Sequence, residues 1–131
     1  MCGFRPLAEI AGYLQTVGEL RELLGPAATA FESGYEAAPE AALKALFTAL
    51  MTSEPAGVAK HLEAMKVRLT AAGVEPNAEA AATSAEGANN LALYLLEQYP
   101  GDVGVWCCYF LNVAQLAPGQ ALYLDANLPH G

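Results

Sequence analysis

Pro100-Gly101-Asp102 divides the chain into two stretches that follow different periodicities. Before it, Leu, Met and Ala recur at helical spacing. After it, Val103, Val105, Trp106, Tyr109, Phe110 and Val113 are β-branched or aromatic, the side chains that suit a pleated surface. A helix does not run through Pro-Gly, because proline lacks the N–H and glycine loses the most backbone entropy. The break predicts a mainly α fold. A bundle of short helices fills a first domain over residues 1–99, and a two-stranded β extension occupies residues 100–131. Its first strand follows residue 103 and its second lies at 121–124, after the Pro118-Gly119 turn. A strand pair alone is marginal in water, so the extension is expected to need strands that these residues do not supply.

Within the first stretch, Pro6 suits a first helical turn, and Leu7, Ile10, Ala11 and Leu14 follow at helical spacing. Thr16-Val-Gly-Glu19 has the form of a capping box, which predicts a break and a second short helix with Leu20, Leu23 and Leu24, stopped by Gly25-Pro26. Residues 27–38 are ambiguous. Pro39 opens a helix whose stripe is Leu43, Leu46, Phe47, Leu50 and Met51, and Ser53 before Pro55 reads as the cap of the next. That helix carries Val58, Leu62, Met65 and Leu69 on one face, with Gly73 just past its end. Residues 74–90 read as a loop or a weak helix start, and Leu91, Tyr94, Leu95 and Gln98 mark one side of the last helix.

Fourteen acidic against six basic side chains give a net charge of -8. Such a surface repels phosphate backbones and anionic lipid, which argues against nucleic-acid and membrane partners. The longest apolar run, 103–111, is too short to span a bilayer, and no apolar h-region follows Met1. A cytoplasmic location is expected. Cys2, Cys107 and Cys108 lack metal spacing and read as small hydrophobes, the adjacent pair pointing to opposite faces of a strand. His61 reads as a solvated helix residue, Arg5 as a salt-bridge or helix-start packing residue, and Trp106 and Tyr109 as strand core rather than sugar-stacking rings. The scattered glutamates resemble polar helix faces, and no residue here is assigned a catalytic role.

Two blocks carry a family resemblance. The first is Cys2-Gly-Phe-Arg-Pro-Leu-Ala-Glu-Ile10. The second comprises Gln98-Tyr-Pro-Gly-Asp-Val-Gly104, Phe110-Leu-Asn112, Leu116-Ala-Pro-Gly-Gln-Ala-Leu-Tyr-Leu124 and Ala126-Asn-Leu-Pro-His130. Together they resemble the way into and out of the helical domain of type I phosphomannose isomerases. The resemblance implies that residues 100–131 belong to an incomplete cupin-type jelly roll. It also implies a zinc-dependent interconversion of mannose 6-phosphate and fructose 6-phosphate. In that family a Gln, a His and a Glu before the helical domain and a His in a Pro-His-Ala-Tyr segment after it hold the metal. His130 matches the last of these, whereas Gly131 departs from the pattern at the next position.

The upstream ligands would precede Met1, and the catalytic and phosphate-binding positions would follow Gly131. The expectation is therefore a fragment that is inactive alone and does not stably hold zinc, since a catalytic zinc takes about three protein ligands. Its partner in the complete enzyme would be a small sugar phosphate. Two other readings stay open: a non-catalytic helical module that self-associates through its unpaired strands, and a cupin-like sugar binder without catalysis.

Overall fold

The computed structural model describes residues 1–79 and 84–131. Six α-helices make up most of it: α1 (Leu7–Thr16), α2 (Gly18–Leu24), α3 (Pro26–Gly34), α4 (Pro39–Met51), α5 (Pro55–Ala71) and α6 (Ala85–Gln98). The mainly α reading holds. Prolines open α3, α4 and α5, where a missing N–H costs nothing because the first turn has no internal partner for it. The ambiguous residues after Gly25 form α3, which buries Ala28 and Phe31.

Helix ends follow tertiary needs more than local motifs. The break after α1 falls as expected, but the capping box does not form. The Thr16 hydroxyl donates to the Gly12 carbonyl at 3.0 Å, and the buried Val17 takes the N-cap position of α2. The Glu19 carboxylate turns instead to Arg68 on α5, at 2.7 and 2.9 Å. Ser53 likewise does not cap α5: its hydroxyl donates to the Ala49 carbonyl, and Glu54 stands at the N-cap. The end of α5 does obey its sequence. Gly73 adopts φ +77°, its N–H reaches the Thr70 carbonyl, and the Val74 N–H reaches Leu69. That is a Schellman closure, which a residue with a Cβ adopts only under strain.

The α5 face is the one expected, with Val58, Leu62, Met65 and Leu69 all buried. On α4, Leu46 and Leu50 are buried, Leu43 and Phe47 are partly so, and Met51 is exposed. On α6 the buried face is rotated from expectation. Ala88, Leu91, Ala92, Leu93 and Leu96 face inward, Tyr94 and Leu95 are half-buried, and Gln98 is exposed. Ser84 caps this helix by accepting from the Gly87 N–H. The part of the 74–90 reading that falls on 80–83 lies outside the described residues.

Residues 103–109 correct the sequence reading. They form a 3₁₀ helix, Val103–Tyr109, rather than a strand, with Asp102 accepting from the Gly104 N–H at 2.6 Å at its start. From Val105 to Leu111 every residue is buried, so no alternation between two faces exists. The aromatic and branched side chains seek a packed surface, and here the flanks of α6 and the α1 residue Tyr13 supply it. The Tyr13 and Tyr109 rings meet edge-on at 5.2 Å. The hydrophobic core thus continues across residue 100.

The second expected strand, at 121–124, is not formed. The two-stranded sheet is antiparallel and joins β1 (Cys2–Phe4) to β2 (Leu111–Asn112), pairing Cys2 with Asn112 and Phe4 with Leu111. A separate bridge sets His130 opposite Cys2. Long-range pairing of the first residues with two later segments left no local signature in the sequence. A chain of rings, Phe4 on Phe47 and Phe47 on Phe110, seats the sheet on α4.

Candidate metal-ligand site

His130 is exposed, and its Nδ1 lies 2.9 Å from the Leu128 carbonyl. A carbonyl oxygen only accepts, so in the neutral ring the proton sits on Nδ1 and the Nε2 lone pair is left for another partner. Metal-bound imidazoles are oriented in this way, by a backbone acceptor on the nitrogen that does not ligate. The residues around it fit one ligand arm of a zinc site. They do not complete one: among the described residues, no three His, Cys, Asp or Glu side chains gather as a metal site.

The backbone of this arm is held by β1. The Gly3 N–H donates to the Pro129 carbonyl at 2.9 Å, and Cys2 pairs with His130. Asn112 in turn holds β1, its Nδ2 donating to the Phe4 carbonyl at 2.9 Å and the Gly3 carbonyl at 3.3 Å. Leu128, Gly3 and Asn112 were not singled out in the sequence. Gly3 and Asn112 act on partners more than one hundred residues away, which no short motif records.

Arg5 is only 4% exposed, and its guanidinium lies within the core. Its Nε and Nη2 donate to the Cys108 carbonyl at 3.2 and 3.0 Å, Nη1 reaches Glu9 at 3.4 Å, and the guanidinium lies over the Tyr13 ring at 5.3 Å. A buried charge persists where such contacts replace water. Burial pushes the Tyr13 hydroxyl up, and the Arg5 charge offsets only part of that.

Trp106 and Tyr109 are core residues, as expected, and neither faces a sugar-sized opening. The Tyr109 hydroxyl donates to Asn89 Oδ1 at 2.9 Å, a partner that a buried phenol requires. Cys107 and Cys108 are free and buried, but along a 3₁₀ helix rather than on two strand faces. Burial raises both thiols, Cys108 the more strongly, so neither is a nucleophile at neutral pH. His61 is not fully solvated: it is half-buried between α2 and α5, 3.9 Å from Glu22.

An apolar hollow of about 470 Å³ lies beside α6, lined by Leu91, Leu95, Tyr99, Val105 and Val113. The Asp102 carboxylate on its wall is engaged in capping the 3₁₀ helix.

A sequence model described as the helical insertion domain of type I phosphomannose isomerase matches residues 23–111. The chain belongs to the type I phosphomannose isomerases. The match ends at the last buried residue before Asn112, where the core stops. Mannose-6-phosphate isomerase of Macaca fascicularis is 39% identical over 99% of this chain and 30% of its own length. The human protein of that name is 37% identical over the same shares. Mannose-6-phosphate isomerase 1 of Arabidopsis thaliana is 31% identical over 99% of the chain and 29% of its own length. The chain thus spans about 30% of the length of the curated relatives it matches. No helix among its described residues is long and apolar enough to cross a membrane.

Proposed function

We propose that these residues are the helical domain and adjoining barrel edge of a zinc-dependent mannose-6-phosphate isomerase, with His130 as one metal ligand. The observation that carries this is the oriented imidazole: the Leu128 carbonyl holds Nδ1–H and leaves Nε2 outward, at the end of a chain matched throughout by proteins of that name. In this reading the remaining donors, and the group that moves the proton between adjacent sugar carbons, belong to the larger part of the relatives' length that this chain does not span. Zinc, when bound, would polarise the sugar oxygens during the aldose–ketose change.

The residues present do three things. His130 offers one lone pair, β1 fixes where that lone pair sits, and the helical core holds β1. The 131-residue chain is accordingly inactive by itself and holds zinc weakly. Its cytoplasmic location and sugar-phosphate partner belong to the same reading.

The test is made in the longer protein. His130→Ala is expected to lower bound zinc by about tenfold or more and to abolish isomerisation of mannose 6-phosphate. Unchanged metal content in that variant would refute the ligand assignment. Chelator-sensitive turnover by the 131-residue chain would refute its inactivity.

A second reading, a self-associating helical module, is favoured by the exposed apolar side chains Leu116, Leu122 and Tyr123. Light scattering after size exclusion separates the two, because a module of that kind runs as a dimer or larger.

A further inference from the structure

We infer that Arg5 and Asn112 are positioning residues for His130, acting through β1. The inference rests on the reading of His130 as a metal ligand and extends it to the residues that aim the ligand.

The path is short and continuous. The Arg5 guanidinium grips the Cys108 carbonyl with two N–H groups, and the Arg5 backbone N–H donates to the Phe110 carbonyl at 2.8 Å. These bonds fix the end of β1 against the end of the 3₁₀ helix, inside the core. One residue pair further on, Asn112 bonds the Phe4 and Gly3 carbonyls. Gly3 sits at φ +65°, which turns the strand so that its N–H meets Pro129, and a Cβ there would lie 3.6 Å from the Leu128 side chain. Leu128 supplies the carbonyl that holds His130 Nδ1. The His130 arm is exposed, and the Gly3–Pro129 bond and the Cys2–His130 bridge tie it to β1.

Two features favour positioning over mere packing. Arg5 is the sole buried charged side chain among the described residues, and burying a charge is costly unless a specific geometry is gained. Asn112 is exposed, so its two bonds to β1 add little to the core and mainly set where the strand lies.

The test uses the 131-residue chain and reads the His130 ring directly, without metal. Imidazole ¹⁵N shifts of the neutral ring are expected to show the Nδ1–H tautomer, and the Gly3 amide is expected to be protected from hydrogen exchange. Arg5→Lys keeps the charge but loses the two-pronged grip. Both it and Asn112→Ala should shift the ring toward a mixture of tautomers and speed Gly3 exchange by about tenfold or more. Leu62→Ala, a core change on α5 away from this path, should lower stability yet leave both signals as they were. Should Arg5→Lys fail to fold, the exposed Asn112→Ala carries the test.

An unchanged tautomer and unchanged Gly3 exchange in the folded variants would overturn the inference. So would equal changes in Leu62→Ala. Neither readout involves zinc, so the positioning path can fail while the metal assignment stands, and the reverse also holds.

Discussion

Residues 103–111 and 116–124 are close in sequence and each carries Leu and Tyr, yet they meet opposite fates. Trp106 and Tyr109 are wholly buried, whereas Tyr123 is 85% exposed. The first stretch follows α6 directly and finds packed surfaces on α6, α1 and α4. The second begins after the last core residue and finds none among the described residues. Apolar side chains do not choose their burial. They take what the neighbouring elements offer, and the Pro118-Gly119-Gln120 turn of the second stretch, unlike the ring-rich first, adds little apolar surface of its own.

The largest effect expected from that contrast is at Trp106. Trp106→Ala should cost about 3–5 kcal/mol in chemical denaturation, because the core cannot close over the lost indole. A cost below about 1 kcal/mol would mean that the 3₁₀ helix is peripheral. Next comes Tyr109→Phe, which leaves Asn89 without its donor. Roughly 1 kcal/mol is expected by the same measurement. Gly73→Ala, at the α5 end, should lower the melting temperature through about 1 kcal/mol of backbone strain and leave the His130 arm unaffected.

The Glu19–Arg68 pair contributes less, since Arg68 is half-exposed and screened by water. Burial is the largest single influence and alone would raise the Glu19 carboxyl, but the Arg68 hydrogen bond, a backbone hydrogen bond and the charges of Arg68 and His61 together hold the group below its ordinary value of 4.5. A depressed acid stabilises the fold above that value and loses its contribution as pH falls through the folded one. The parent and Arg68→Ala should therefore differ at pH 7 and converge in urea titrations as pH falls through the depressed folded value. A gap that persists at low pH would assign the Arg68 effect to its aliphatic stem. The smallest effect is at Tyr123, where Ala should change stability by less than about 0.5 kcal/mol. A larger loss would show that residues 116–124 have a packing partner after all.

How much was legible varied with the type of signal. The α5 stripe was readable because its large side chains repeat on one face and its end carries a glycine. On α6 the inward face uses Ala88 and Ala92, which add little apolar area but let neighbours approach closely, so a count of large residues points to the wrong side. Thr16-Val-Gly-Glu19 matched a local cap, yet Glu19 found an arginine forty-nine residues away. His130 was singled out by resemblance to a family, and the acceptor that orients it, two residues earlier, was not. Arg5 was read as a salt-bridge or helix-start packing residue, but its grip on a carbonyl at residue 108 has no local trace.

By itself the sequence determined a helical body, its proline starts, its break at Pro100-Gly101, and the family to which its motifs point. These depend on backbone chemistry and on spacing within a few turns, which the order of residues states directly. Tertiary structure alone decided that 103–109 coil instead of extending, that β1 pairs with β2 and His130, and which way α6 faces. Each of those outcomes is a competition for burial or for hydrogen-bond partners among segments far apart in the chain, and local preference is too weak to settle it.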